Sequence, residues 1–289
     1  MGAYGPPVDQ LLRMGENFED PEGGWHDYLG MGIGPEHIPD LIRMAVDEDL
    51  NNADSESDEV WAPIHAWRAL GLLRAEQAIP VLVGILAKQM DDVFDDWVTE
   101  ELPEIFGMIG PVAIPELSKV LEREDAGSYA RGDASRSLVE IAKQHPGEYP
   151  GIVATMAGAL ERAEWHDRDF NGFLVSDLIA LEAREAAEVI ERAYAGGFVD
   201  DSICGTWYDV WFQLEMEGEP PPRTERLDRI GPFPFPFPDS PSEPAALFTT
   251  PYSWQPTELR TPEDRKDRNK ARQKLEKKVK GKGKGGKRR

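Results

Sequence analysis

Along the first two thirds of the chain, apolar residues fall three and four positions apart in short runs that recur at a nearly constant interval. The clearest marker is an Ile-Pro step followed by an amphipathic stretch: His37-Ile38-Pro39-Asp40-Leu41-Ile42, Ala78-Ile79-Pro80-Val81-Leu82-Val83 and Ala113-Ile114-Pro115-Glu116-Leu117-Ser118. Glu148-Tyr149-Pro150-Gly151-Ile152-Val153 and Glu185-Ala186-Ala187-Glu188-Val189-Ile190 are weaker copies. Successive markers lie 41, 35, 35 and 37 residues apart. A period in the thirties suits a two-helix repeat. Pro fits the first turn of a helix, where its missing N–H would be unpaired anyway, so each marker opens the second helix of a pair.

The first helices lie ahead of the markers. Val60, Ile64, Trp67 and Gly71 form one stripe and Trp61, His65, Arg68 and Leu72 the next, which predicts a helix over 59–73 with a broad apolar face. Trp97, Leu102, Ile105, Phe106 and Ile109 predict another, stopped by Gly110-Pro111. Residues 135–142 and 170–181 supply the first helices of units four and five. Strand signals are nearly absent. The expected fold is all-α, an α-solenoid of about five helix pairs, stacked because no pair can hide its apolar face alone. Residues 1–32 read as a cap segment, with Asp27-Tyr28-Leu29-Gly30-Met31 in place of a full first helix, and residues 33–214 as the solenoid.

At Trp61-Ala62-Pro63-Ile64-His65-Ala66-Trp67-Arg68-Ala69-Leu70-Gly71 and the following Ala78-Ile79-Pro80-Val81-Leu82 the chain resembles HEAT repeats, most closely the short HEAT-like units of the phycobilisome-lyase type. An Ala-Leu-Gly ending one helix and an Ala-Ile-Pro opening the next carry the resemblance, which spans about residues 33–195 and fades in units four and five. It implies a fold and leaves the function open, because HEAT-like proteins include scaffolds, a lyase, DNA glycosylases and a di-iron hydroxylase.

Composition changes after the repeats. Residues 215–259 hold eleven prolines, including Pro232-Phe233-Pro234-Phe235-Pro236-Phe237-Pro238, a density that forbids helix and predicts an extended strap lying back on the solenoid. Residues 260–289 carry 15 Lys and Arg against four acids and are expected to be a disordered basic tail. Residues 1–259 carry 17 basic and 50 acidic side chains, a net charge of −33 concealed within the −22 of the whole chain. A body that acidic repels phosphates, which disfavours glycosylase chemistry. The chain shows no signal peptide and no membrane-length apolar run, so a cytoplasmic address is expected.

No catalytic constellation is legible. His26, His37, His65, His145 and His166 are far apart, with no i,i+4 pair and no His-Glu dipeptide. The resemblance therefore does not extend to the di-iron enzymes, which use repeated His-Glu pairs. His65, inside a Trp-rich stripe, is expected to be a core histidine bonded to a backbone carbonyl. The single thiol, Cys204, is expected to be half-buried and unreactive among Asp200, Asp201 and Asp209. Asp47 to Asp58 imitates the ligand spacing of a calcium loop but departs from it at three positions, and reads as an inter-repeat linker.

These readings lead to a non-catalytic scaffold without cofactors, a monomer whose acidic face binds a basic or amphipathic protein. Trp61, Trp67 and Trp97 would supply anchoring area, and Asp91, Asp92, Asp95 and Asp96 the charge. Lys274, Lys277, Lys278, Lys280, Lys282 and Lys284 would give the tail a weak, salt-sensitive grip on polyanions, which tethers the scaffold to RNA or ribosomes in a second reading. Another, implied by the resemblance together with an aromatic lining of the concave face, is a phycobilin-lyase-like enzyme or chaperone holding a tetrapyrrole.

Overall fold

The computed structural model describes residues 4–16, 25–88 and 96–223. Of the proline-rich segment only residues 215–223 are among those described; the rest of it and the basic segment lie outside them. Among those described there is no β-strand, and the α-helices are α1 (Ile38–Ala45), α2 (Glu48–Asn51), α3 (Ala62–Leu72), α4 (Ile79–Leu86), α5 (Asp96–Ile109), α6 (Ile114–Glu122), α7 (Ser128–Gln144), α8 (Tyr149–Leu160), α9 (Arg168–Ala180), α10 (Ala187–Ala195), α11 (Asp201–Cys204) and α12 (Trp207–Gln213).

All five sequence markers open helices, and they do so in one way. A three-residue 3-10 turn precedes each of α1, α4, α6, α8 and α10, and no side chain caps these five helices. The backbone closes on itself instead: the N–H groups of His37, Ala78, Ala113, Glu148 and Ala186 donate to the carbonyls of Gly34, Ala75, Gly110, His145 and Ala183 at 2.9 to 3.0 Å. Each bond satisfies a donor that a helix start would otherwise leave unpaired, which is why Pro is tolerated there and Ser or Asp is not required.

Packing joins the helices in two rows. In the first, α3 rests on α5, α5 on α7, α7 on α9 and α9 on α11; in the second, α1 meets α4, α4 meets α6, α6 meets α8, α8 meets α10 and α10 meets α12. α1, α4, α6 and α8 each also rest on the first-row helix that follows, α3, α5, α7 and α9 respectively. A continuous apolar core runs between the rows from Val8 to Leu214. Phe106 and Phe170 are fully buried within it, each contributing about 2–3 kcal/mol of apolar transfer.

Close approach along the first row depends on glycine. A Cβ built on Gly71 of α3 would stand 3.3 Å from Ile105 of α5, and one on Gly107 of α5 would stand 2.5 Å from Gln144 of α7. Gly132 of α7 faces Phe173 of α9 in the same way, and Gly172 of α9 faces Ile203 of α11. Four successive interfaces therefore each place a missing side chain under the next element.

The structure departs from the sequence reading in three places. α3 is buried nearly all round, from Ala62 to Gly71, where a single apolar face was expected, because α1, α5 and the 3-10 segment Val8–Arg13 enclose it. α7 begins at Ser128, seven residues before the predicted start at 135, because Arg131 and Gly132 look polar or helix-breaking in sequence but are packed against Phe170 and Phe173. After α10 the short helices α11 and α12 add a truncated further pair, capped by Asp200 and by the reciprocal Thr206–Asp209 pair.

Three reversals place exposed side chains in the left-handed region: Arg74 at φ 49°, Glu182 at φ 54° and Glu215 at φ 50°. All three close with the paired hydrogen bonds of a Schellman turn: Ala75 N–H to Leu70 and Arg74 N–H to Gly71, Ala183 to Leu178 and Glu182 to Ile179, Met216 to Trp211 and Glu215 to Phe212, at 2.8 to 3.1 Å. Arg74→Gly and Glu182→Gly are expected to raise stability by about 0.5 kcal/mol each, the relief of strain exceeding the extra freedom of the unfolded chain. Chemical denaturation at constant m-value measures this; a loss would mean the Arg74 or Glu182 side chain contributes contacts that outweigh the strain.

Candidate functional site

A seam of polar groups crosses the first row, linking each helix to the next; Tyr28, His65, Arg68, Glu101, Asp133 and Asp177 in it are buried, Arg136 and Cys204 half-buried and Thr99 exposed. Tyr28 meets His65 of α3, Arg68 of α3 meets Glu101 of α5, Thr99 of α5 meets Asp133 of α7, and Arg136 of α7 meets Asp177 of α9. Cys204 of α11 closes the series, its thiol 3.5 Å from the Gly172 carbonyl of α9. The buried groups among these are costly unless paired, so they restrict how neighbouring helices register.

The seam is densest at its N-terminal end. Arg68 clamps Glu101 through two hydrogen bonds, Nε to Oε2 at 2.7 Å and Nη2 to Oε1 at 2.5 Å, with both side chains buried. The Arg68 guanidinium also lies over the Trp25 ring, 5.0 Å from its centre. Burial opposes the charge on Arg68, but Glu101 outweighs it and holds the guanidinium protonated. His65 is 0% exposed. One ring nitrogen, Nε2, lies 3.0 Å from the Gly15 carbonyl, which accepts only from an N–H; Nδ1, 2.7 Å away from the Tyr28 hydroxyl, is therefore the acceptor. The expected core histidine bonded to a backbone carbonyl is what the structure contains, with Tyr28 as an additional partner.

These bonds decide what the cluster can do chemically. Burial, with Arg68 and His26 nearby, pushes His65 down to about 4, and burial pushes the Tyr28 phenol up, so both are neutral at pH 7. Burial likewise pushes the Cys204 thiol up to about 12, leaving no thiolate for nucleophilic chemistry. Burial raises the Asp177 carboxyl against the pull of Arg136. His65, Tyr28 and Cys204 thus each keep one protonation state through neutrality and hold neighbouring segments together.

His65 makes the fold sensitive to acid. Its folded pKa lies below the unfolded value, so the unfolded chain takes up the proton first, and stability present above pH 6.5 is lost as pH falls towards 4. The contribution reaches up to about 3 kcal/mol from a shift of this size. The melting temperature of His65→Gln is expected to fall less steeply than that of the wild type between pH 6.5 and 4.5, and parallel slopes would remove His65 as the cause.

The residues expected to bind a partner are distributed differently. Trp61 and Trp67 are 5% and 4% exposed, so they cannot offer anchoring area; they pack the core, with Trp67 donating to the Ala45 carbonyl at 3.3 Å. Their stripe is covered because helices lie on both sides of α3. Trp97 is half-buried and meets Trp61 edge-on, ring centres 5.6 Å apart, and Asp96 is half-buried at the start of α5. Asp91, Asp92 and Asp95 lie outside the described residues, as do Lys274, Lys277, Lys278, Lys280, Lys282 and Lys284. In the calcium-like stretch, Asp47 caps α2 through the Asp49 and Leu50 amides and accepts the Tyr4 hydroxyl at 2.7 Å. No group of three or more His, Cys, Asp or Glu that could hold a metal ion occurs among the described residues.

The sequence reading missed Arg68, Glu101, Asp133, Arg136 and Asp177 as a set. A signal existed: bonded partners lie 33, 34 and 41 residues apart, close to the repeat interval, so a polar residue returns in phase inside each apolar stripe.

Two rows of helices sharing one apolar core, with polar groups bridging one row, define an all-helical protein whose local units depend on their neighbours. The chain belongs to the family described as Protein of unknown function (DUF1186), whose model matches residues 35–220, from the 3-10 turn before α1 to just beyond α12. No curated protein and no solved structure matches the chain. No helix among the described residues is long and apolar enough to cross a membrane.

Proposed function

We propose that this chain is a HEAT-like α-solenoid that works as a non-catalytic scaffold, its acidic surface binding a basic or amphipathic segment of another protein. The observation that carries the reading is the charge: residues 1–259 bear 17 basic and 50 acidic side chains, over helices whose apolar residues are spent on the continuous core. The two rows and their five equivalent helix starts support the solenoid. The neutral, fully engaged His65 and the protonated Cys204 support a binding role. Anchoring area falls to Trp97 and to the exposed Phe212 of α12. Opposite charge steers such a partner in and selects against acidic ones.

The test is a titration of the full chain against a fluorescein-labelled amphipathic Lys/Leu helical peptide in rising salt. Affinity is expected to fall at least tenfold between 50 and 500 mM salt, roughly the loss that screening of several exposed ion pairs gives. A salt-independent affinity, or equal binding of a Glu/Leu peptide, would overturn the electrostatic reading.

A further inference from the structure

The second row ends on a helix that no other covers. α1, α4, α6 and α8 each rest on the first-row helix that comes next, whereas α12 meets α10 and no helix follows it among the described residues. The open side of α12 is aromatic. Tyr208 and Phe212, four positions apart, share one face with ring centres 4.9 Å apart, and Trp211 meets Phe212 edge-on at 5.1 Å. Phe212 is 50% exposed, and Tyr208 and Trp211 are half-buried. Adjoining rings left open in this way mark a contact surface.

The chain itself turns back toward that surface. It reverses at Glu215, where Met216 N–H donates to the Trp211 carbonyl and Arg184 donates to the Leu214 carbonyl at 2.8 Å. The guanidinium of Arg223 then lies over the Tyr208 ring, its central carbon 5.9 Å from the ring centre. By Arg223 the chain has thus come back alongside the first turn of α12. The residues that follow in sequence suit an aromatic face: Leu227 and Ile230, then Phe233, Phe235 and Phe237 alternating with proline. Alternation sets the three Phe on one side of an extended segment, and proline, with its fixed φ, lowers the cost of ordering it.

Reach and concentration favour the same chain over another as the occupant. Ten positions separate Arg223 from Phe233, about 33 Å when extended, whereas the seven residues of α12 span about 10 Å. A short tether holds its end at an effective concentration of about 1 mM, far above that of a second copy at micromolar protein.

We propose that residues 232–238 pack on the Tyr208, Trp211 and Phe212 face of α12 in the same chain, taking the place of the first-row helix that the rows lack at this end. The electrostatic reading of the surface does not depend on this contact. Trp97 and the acidic charge stay available with the segment in place, and a partner reaches Phe212 only by displacing it.

A photo-reactive benzophenone amino acid substituted for Phe212 in the full chain, without any partner, tests the contact. On irradiation at about 1 μM protein, where tethered contacts outcompete bimolecular ones, cross-links are expected within residues 232–238 and in the monomer band. Introducing Phe233→Ser/Phe235→Ser/Phe237→Ser is expected to cut that yield about fivefold or more, and in the otherwise native chain to raise hydrogen exchange of residues 207–214 by a similar factor while residues 62–72 are unchanged. A dominant dimer band would assign the face to a second copy. That result, cross-links elsewhere in the chain, or a yield unchanged by the triple substitution would overturn the proposal.

Discussion

Glu101→Ala is expected to destabilise the chain by about 3–5 kcal/mol, the cost of stranding a buried guanidinium. Arg68 is enclosed by α3, α5, Tyr28 and Trp25, and Glu101 is the carboxylate that neutralises it there. The double variant Arg68→Met/Glu101→Leu, which removes both charges and keeps the volume, is expected to lie within about 2 kcal/mol of the wild type. Urea midpoints at constant m-value measure both. If single and double variants fall equally, the loss comes from packing at the α3–α5 contact and the ion pair has no special part in it.

Gly110→Ala is expected to cost about 3 kcal/mol by combining two effects. Gly110 sits at φ 95°, ψ −159°, a region closed to residues with a Cβ, where α5 ends and the chain turns into the 3-10 helix Pro111–Ala113. An added Cβ would also stand 2.9 Å from His145 Nε2. The two contributions separate experimentally. Gly110→Ala/His145→Ala should recover the clash and leave the backbone strain, about half the loss, whereas full recovery would show that the backbone adjusts freely at this corner.

The contrast between these two sites shows what kinds of information the chain carries openly. The turn at Gly110-Pro111 is local: a Gly that reaches unusual backbone angles and a Pro that cannot continue a helix lie side by side, and the stop after Ile109 was legible from them. The five helix starts were legible for the same reason, since Pro or its substitute acts on its own turn. The pairing of Arg68 with Glu101 was not, because nothing near Arg68 says which residue 33 positions later will face it. Trp61 and Trp67 show the same limit from the other side. Their helical spacing identified them as apolar-face residues, but whether that face meets solvent, a partner or another helix depends on α1, α5 and the N-terminal segment closing round α3.

Helix content, the repeat interval and the positions where helices begin were thus determined by the sequence itself, since backbone bonding and Pro sterics operate within a turn of the residues concerned. Tertiary structure alone decided which charges are buried together and which tryptophans remain outside. Those outcomes depend on contacts between residues tens of positions apart, whose free energy exists only once the rows have packed.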